Sequence, residues 1–489
     1  MKLSYLLEVL SIAPEKELTG IEGLQLDSRQ VKKNEIFIAL KGGERHGVEF
    51  AESAIANGAC AILTDKAPDK MYSVPVFHCP NLGNHLPALA NRMWPLARHI
   101  KVMGVTGTNG KTSTVWMLSH AFENLGKPSA RLGTLGQAFK NSSYKSALTT
   151  GNLFDNYRFL DFVASKEGHY AAMEVSSHAL VQDRISGLTL DTAIFSNITR
   201  EHLDYHGTME AYAGAKAKLF EEDNLRWAII HLNDPYAKQM ISAVNPSAQV
   251  ITYGINNPEA DVNATGVNSC LEGVSAWVDT PWGGGLLRLS LVGSFQLENA
   301  LSVIAALCTH AVPLHKALEV CRSIPGVPGR LECHKLPNDV TVAIDYSHTP
   351  AALQTALETL RSAHQTGKLW CVFGCGGNRD TGKREVMGAI AEQYSDYQIV
   401  TNDNPRWEDP NLIAENIMSG MKSKPFRVCL DRKEAIYLAV NSAEPGDVIL
   451  IAGKGHESTQ EVEGKLIDLS DIEVVQSIKE EKENMDAVV

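Results

Sequence analysis

The stretch Lys101–Leu125, KVMGVTGTNGKTSTVWMLSHAFENL, decides the fold. Val102, Met103 and Val105 make a short apolar run suited to a buried strand; Val115, Leu118, Ala121, Phe122 and Leu125 then recur at helical spacing. Gly126 stops that helix and Pro128 lies just beyond it. Between strand and helix lies TGTNGKT. Such a turn aims successive backbone N–H groups and a helix N-terminus at one point, where hydrogen bonding and dipole both favour phosphate oxygens. Gly107, Thr108, Asn109 and Gly110 would cradle the phosphates of a nucleoside triphosphate, Lys111 would reach its β/γ end, and the Thr112 hydroxyl would hold Mg²⁺. The spacing departs from GxxxxGK[ST], because Val105 stands where the first glycine belongs, with Gly104 and Gly107 on either side. On this segment alone, a plain glycine turn joining strand to helix stays open.

Outward from this stretch, the chain of 489 residues is long enough for about three domains, each with its own core. With 44% hydrophobic and 21% charged residues, the composition is that of an ordinary globular protein. A net charge of −12 argues against a general nucleic-acid or anionic-membrane binder, which needs a positive field. The start, MKLSYLLEVLSIAPEKEL, has its apolar run broken by Glu8 and then meets Pro14, so it does not read as a signal peptide. No apolar run approaches the roughly 20 residues that span a bilayer. Nine scattered cysteines, an odd number, predict a reducing cytoplasm rather than a disulfide framework. Cys371 and Cys375, the closest pair, lack a second pair at zinc spacing and read as core thiols.

The pattern predicts an α/β protein of three domains: residues 1–95, 96–327 and 328–489. In the first, short apolar runs (Glu35 to Leu40, Ala59 to Thr64, Val74 to His78) alternate with a helical one, Phe50 to Gly58. Two polar strings, LDSR from Leu26 and GGERHG from Gly42, read equally as a grip on a nucleotide diphosphate or as solvated turns. In the second, the strand Tyr170 to Val175 runs into EVSSH; Glu174 is either a metal ligand beside the phosphate loop or a strand-end carboxylate facing water. After the strand Asp191 to Ser196, His202 and His206 stand at i,i+4 without the HExxH arrangement of a zinc site, and so read as loop or core residues. Lys216, on a predicted helix Thr208 to Phe220, reads by itself as a solvated lysine. Val250 to Leu291 reads as β-rich with a turn at Gly283–Gly285, and Gly293 to Asn299 opens an alanine-rich helix. Two prolines and two glycines in Pro325 to Arg330 mark the next boundary. The third domain shows strands at Thr341 to Ile344, Leu369 to Phe373, Gln398 to Thr401 and Val448 to Ala452. Each ends in a polar loop, DYSHTP, GCGGNRD, NDNPR or GKGHE, on the edge where parallel sheets bind ligands. The closing EEKENMDAVV reads as frayed.

Taken in order, TGTNGKT, MEVSSHAL, EHLDYHG with AYAGAKAKLF, PGRLE, DYSHTP, GCGGNRD, DNPR and AGKGHE resemble the Mur ligases of peptidoglycan synthesis, over essentially the whole chain. The resemblance implies a small N-terminal UDP-binding α/β domain, a central P-loop ATPase-like domain with a parallel sheet, and a C-terminal Rossmann-like domain for the incoming amino acid. It implies a cytoplasmic, monomeric, ATP- and Mg²⁺-dependent ligase. The strings look most like the type joining meso-diaminopimelate to the D-glutamate γ-carboxylate of UDP-N-acetylmuramoyl-L-alanyl-D-glutamate through an acyl phosphate. By the same resemblance Leu26 and Ser28 sit on the UDP end, and Thr149, Thr150, Ser176, Gln182 and Arg184 hold the muramoyl-dipeptide. Glu174 and His202 become metal ligands together with Thr112, and Lys216 becomes a carbamylated lysine that binds Mg²⁺ as an anion. Asn299, Arg330 and Asp345 fall to adenine, phosphate and ribose. Arg379, Asp403, Asn404, Pro405, Arg406, Gly453 and Glu457 fall to the amino acid, with Arg406 meeting the carboxylate that lysine lacks. The sequence departs from the family's pattern at Gln296, Ser347 and Asn378, where Asn, Ala and Asp are usual. Rival readings are the same ligase using L-lysine, a ligase adding D-alanyl-D-alanine or extending folate, and a nucleotide switch; the switch lacks an NKxD string.

Overall fold

The computed structural model of the chain describes residues 1–43, 45–146, 148–364 and 366–486. Glu44 of the GGERHG string and the last residues of the tail, 487–489, lie outside them. The chain divides into two compact units: Met1–Tyr253 with Ala305–His310, and Gly254–Ile304 with Ala311–Val489.

The first unit opens with a parallel sheet in the order β1 (Gly23–Gln25), β2 (Glu35–Ala39), β3 (Ala61–Thr64), β4 (Val76–His78). β2 and β3 are buried along their whole length, as strands covered on both faces must be. Its main sheet uses β5 (Lys101–Thr106), β6 (Ser129–Gly133), β7 (Gly136–Phe139), β8 (Ser142–Tyr144), β9 (Tyr170–Glu174), β10 (Leu190–Phe195), β11 (Trp227–His231) and β12 (Gln249–Ile255). They lie in the order β12-β11-β10-β5-β9-β6-β7-β8. All but β7 run parallel to β5. Chain order reverses about β5, whose neighbours are β9 and β10, so the crevice at its C-terminal end is a topological switch point. Register brings the three ends level, with Val105 opposite Glu174 and Thr106 opposite Phe195. A continuous apolar cluster that includes Leu3, Trp94, Phe154, Met173, Phe195 and Phe220 fills this unit.

The second unit contains an antiparallel ribbon, β13 (Val262–Cys270), β14 (Gly273–Thr280) and β15 (Gly283–Leu289). The turn expected at Gly283–Gly285 is displaced: Thr280 pairs with Gly283, so Pro281 and Trp282 turn and the glycines lie in β15. Proline cannot donate to the ladder, and that excludes it from the strand. Beyond lies a six-stranded sheet, β16 (Glu332–Lys335), β17 (Thr341–Asp345), β18 (Leu369–Phe373), β19 (Tyr397–Val400), β20 (Arg427–Val428) and β21 (Val448–Ala452), in the order β16-β17-β21-β18-β19-β20. Only β16 runs antiparallel. Two apolar clusters, one around Leu353, Leu357 and Met387 and the other around Ile436, Val440 and Val475, draw on alternate residues of its central strands. A hairpin, β22 (Thr459–Val462) with β23 (Lys465–Asp468), follows β21.

Two further expectations are corrected. The helix Met209–Ala217 tightens to a 3₁₀ turn at Lys218–Phe220. The tail is helical through Asp486, continuing Asp471–Asp486, whose Val474, Val475 and Ile478 are buried and so anchor it. Among the described residues no helix is long and apolar enough to cross a membrane.

Candidate functional site

Around the end of β5 the TGTNGKT turn is held by the loop after β10. Thr108 N donates to Asn197 O at 2.8 Å and Asn109 N to Asn197 Oδ1 at 2.9 Å. Gly107 has φ 152°, and a Cβ there would lie 1.9 Å from Ser196 Oγ, so only glycine permits this approach. Gly110, at φ 87°, turns the chain into the helix Lys111–Asn124. The phosphate-loop reading of the segment therefore has its strand, turn and helix, in spite of the irregular glycine spacing.

Glu174 is buried, not facing water. Its carboxylate accepts from Thr112 Oγ1 at 3.0 Å and Thr134 N at 2.8 Å. Gly133 leaves room for it, since a Cβ there would fall 2.2 Å from Glu174 Oε1. Lys216 is 1% exposed, which overturns its reading as a solvated helix lysine. Its Nζ donates to Gly107 O at 2.8 Å and stands 4.5 Å over the Tyr212 ring. Lys111 Nζ donates to the same carbonyl at 2.8 Å. Two ammonium groups on one carbonyl repel strongly where water is scarce. Burial, with Lys111 second, pushes the Lys216 ammonium well below its ordinary range. A neutral lysine amine is the nucleophilic form.

His202 stands at the start of the helix Leu203–His206 with φ 56°. Its ring lies 6.1 Å from Tyr212 and 4.8 Å from His178, so it joins the group through aromatic neighbours. His206 bonds Ser177 Oγ at 2.9 Å and is a structural partner. Among the described residues no three His, Cys, Asp or Glu side chains form a metal cluster. Thr112 and Glu174 are nonetheless hard oxygen donors in contact, which suits Mg²⁺. A carbamate on Lys216 would add a third oxygen ligand, as the donor set requires.

The string Leu26–Arg29 and the described residues of GGERHG follow β1 and β2, which are parallel neighbours, and so share one edge. Ser28 is buried and Leu26 half-buried. Asp27 holds Arg29 through two bonds, at 2.9 and 2.7 Å, while His46 Nε2 meets Asp65 at 2.8 Å. The residues expected to hold the dipeptide form one network. Thr150 Oγ1 donates to Glu174 O at 2.8 Å, Ser176 N donates to Thr150 Oγ1 at 3.0 Å, and Arg184 Nη1 donates to Thr150 O at 3.0 Å while its Nη2 meets Gln182 at 2.6 Å. Thr149 touches Thr134 at 3.2 Å. The helix Leu153–Ser165 starts directly after these threonines, and its Arg158 reaches Leu24 O on β1 and Glu35 on β2. One helix thus ties the two ends expected of the UDP substrate's site.

In the second unit, Gln296 and Asn299 are buried with their amides 3.4 Å apart, so the longer side chain at 296 still joins its neighbour. Asp345 ends β17, accepts from Leu331 N at 2.8 Å and from the Ser347 hydroxyl. Ser347 therefore supplies a donor to this carboxylate, whose proton affinity is raised by burial. Arg330 lies 4.6 Å over the Tyr346 ring.

The four polar loops of the third predicted domain do converge. Gly377 N donates to Asn404 O at 2.9 Å, Gly453 N to Asp345 O at 3.1 Å, and Asn404 Nδ2 to Glu457 at 3.1 Å. A Cβ on Gly453 would lie 2.6 Å from Asp403 Oδ2. Arg406, with φ 55°, donates from Nη1 to Gly377 O at 2.8 Å and from Nε to Glu461 at 3.0 Å. Pro405 O closes over Gly377, where a Cβ would lie 1.9 Å away. Arg379 is exposed, with its Cγ 3.8 Å from the place a Gly376 Cβ would occupy and Arg406 Nη1 2.9 Å from it. Asn378 takes φ 52° and accepts from Trp407 N at 3.1 Å, a conformation and a bond that asparagine and aspartate both allow.

Sequence reasoning missed the supports. Thr134 orients Glu174, and Tyr212 bonds Thr108 Oγ1 at 3.1 Å. Arg384, 1% exposed, meets Glu408 at 2.8 Å beneath the GCGGNRD loop. Lys454, fully buried, bonds Glu457 at 3.0 Å and Thr459 O at 2.6 Å. Only Lys454 gave a signal, as the lone cation inside GKGHE.

Comparison with known proteins adds to this geometry. The family model described as Mur ligase middle domain matches residues 105–307. The Mur ligase glutamate ligase domain matches 329–455, and the Mur ligase family catalytic domain 20–86. The chain is 40% identical over 463 residues, 93% of its length and 94% of the relative's, to the UDP-N-acetylmuramoyl-L-alanyl-D-glutamate--2,6-diaminopimelate ligase of Chromobacterium violaceum. It is 40% identical to the protein of the same description in Neisseria meningitidis serogroup B, covering 92% and 93% of the two chains. A solved structure of a ligase so described superposes with a TM-score of 0.73 at 32% identity, covering 99% of this chain and 100% of the other.

Proposed function

The chain belongs to the Mur ligase family, and from that membership we infer its reaction and the part each residue plays in it. It is an ATP-dependent ligase that adds diaminopimelate to UDP-N-acetylmuramoyl-L-alanyl-D-glutamate. The amide forms at the D-glutamate γ-carboxylate, and the amino acid is the meso isomer. The enzyme works in the cytoplasm as a monomer. The observation that carries the residue assignment is the convergence of Lys111 and Lys216 on Gly107 O, beside Thr112 and Glu174.

The γ-carboxylate attacks the γ-phosphate of ATP to give an acyl phosphate and ADP; the amine of the amino acid then attacks that carbonyl and expels phosphate. Transfer of this kind rests on positioning and charge neutralisation more than on covalent help from the protein. Gly107 to Gly110 and the N-terminus of the helix after them bind the phosphates, and Lys111 turns from the Gly107 carbonyl to the β/γ oxygens. Thr112, Glu174, His202 and carbamylated Lys216 would hold Mg²⁺, which when bound neutralises charge on the transferred phosphoryl group. Thr149, Thr150, Ser176, Gln182 and Arg184 orient the muramoyl-dipeptide, with Leu26 and Ser28 at its uridine end. Asn299, Arg330 and Asp345 take the nucleoside and phosphate of ATP.

The amino acid is read by Arg379, Asp403, Asn404, Pro405, Arg406, Gly453 and Glu457. Diaminopimelate differs from lysine by one carboxylate, and a guanidinium can meet it with two parallel bonds. Leaving a site's polar group without its partner costs discrimination of order 10⁴. Wild type should therefore prefer meso-diaminopimelate to L-lysine by about that factor in kcat/KM, and Arg406→Ala should erase most of the preference. An unchanged preference in the mutant would remove Arg406 as the selector.

A further inference from the structure

The hairpin that follows β21 holds Arg406 by backbone and side-chain bonds. Arg406 N donates to Glu461 O at 3.0 Å, and Glu463 N donates to Arg406 O at 2.7 Å, so the loop after β19 is bonded to β22 as if to a strand. The bridge Arg406↔Val462 is parallel. Glu461 N in turn donates to Asn404 Oδ1 at 2.9 Å. These backbone bonds hold Arg406 at φ 55°, a left-handed conformation that L residues seldom adopt unaided. The side chains add a last contact, Arg406 Nε to Glu461 Oε2 at 3.0 Å.

We propose that Glu461 is a positioning residue for amino-acid selection, fixing the Arg406 guanidinium so that its far edge faces the carboxylate that diaminopimelate has and lysine lacks. The proposal rests on the reading of Arg406 as the selector. A guanidinium carries five N–H donors. Glu461 takes the one on Nε and Gly377 O takes one on Nη1, so the donors that remain are both on Nη2 and the second on Nη1. Rotation about the last side-chain bonds would break the Glu461 contact, and the guanidinium is therefore set before the substrate arrives. The pair is half-exposed, and such a pair contributes little to stability. Its value lies in orientation.

The test measures kcat/KM, KM and kcat for meso-diaminopimelate and L-lysine in wild type, Glu461→Ala, Glu461→Gln, Arg406→Ala and the double mutant Glu461→Ala/Arg406→Ala. Glu461→Ala should raise KM for diaminopimelate about tenfold or more, as a misplaced binding group does. The KM values for ATP and the UDP substrate should be unchanged. Glu461→Gln should restore most of the loss, since its amide oxygen still accepts from Nε. In the Arg406→Ala background the Glu461 change should have no further effect. The backbone bonds survive both substitutions, and an unchanged melting temperature confirms that the hairpin persists. If Arg406→Ala abolishes selection while Glu461→Ala leaves KM unchanged or lowers it, Glu461 is a bystander or a competitor and the proposal is overturned. Failure of Glu461→Gln to rescue overturns it too, because charge rather than orientation would then be at work. If Arg406→Ala itself leaves selection unchanged, the reading beneath the proposal has failed instead.

Discussion

Lys216 shows how burial changes the chemistry of a single residue. Its amine is shielded from water and shares a carbonyl with Lys111, and both favour the neutral form over the cation. A neutral amine can take up CO₂ to give the carbamate that we propose as a Mg²⁺ ligand. Lys216→Ala should lower ligase turnover by about 10²–10³, with partial recovery in acetate, whose carboxylate replaces the missing oxygen ligand; full activity of the mutant would remove the role. The same shift has a consequence for stability. In the unfolded chain this lysine keeps its proton up to about its ordinary value of 10.5, whereas in the folded chain it loses it at lower pH. Between the two the unfolded state binds more protons, so this residue's contribution to stability rises with pH across that window. In bicarbonate-free buffer, Lys216→Met should therefore melt above wild type at neutral pH, and the gap should narrow as pH approaches 10.5. A gap independent of pH would mean that the buried amine is charged. Neither behaviour was legible in AYAGAKAKLF, where helical periodicity alone makes Lys216 a surface residue; the family's motif assigned the role.

At the scale of elements, the loops proposed to read the amino acid are braced by a buried ion pair. Arg432 and Asp471 have fully buried side chains and bond twice, at 2.8 Å each. They join the helix Arg432–Ser442 to the helix Asp471–Asp486. Arg432 also donates to Asn402 O at 3.1 Å and Ala452 O at 2.9 Å, at the ends of β19 and β21. Asp471→Ala would strand a buried guanidinium, a loss of about 3–5 kcal/mol, read in a urea titration; KM for the amino acid should rise as well, because the carbonyls that Arg432 holds belong to the substrate loops. A loss below 1 kcal/mol would mean that water reaches the pair. The strands of this sheet were legible from apolar runs, and the loops from their position at strand ends. The pair was not, since Arg432 and Asp471 stand 39 positions apart with no pattern linking them.

For the molecule as a whole, we propose that residues 328–489 form a folding domain. The six-stranded sheet and the clusters around Leu357 and Ile436 draw mainly on this segment. Expressed alone, it should show a cooperative thermal transition by circular dichroism. Its stability should be reduced, because Leu271 and Phe295 pack against the first of those clusters and would be missing. A broad, non-cooperative melt would show that the folding unit begins earlier in the chain.

The sequence by itself determined the α/β architecture, the strand–turn–helix of Lys101–Leu125 and the positions of the polar loops at strand ends. These follow from apolar period and from glycine and proline placement, which are local. Its motifs, taken in order, also identified the family. Tertiary structure alone decided which polar residues are buried and what faces them. Lys111 and Lys216 meet on one carbonyl, Glu174 is enclosed by Gly133 and Thr134, and Arg406 donates to Glu461. Such pairings join residues far apart in the chain, and their protonation and orientation depend on desolvation and on neighbours brought close only by folding.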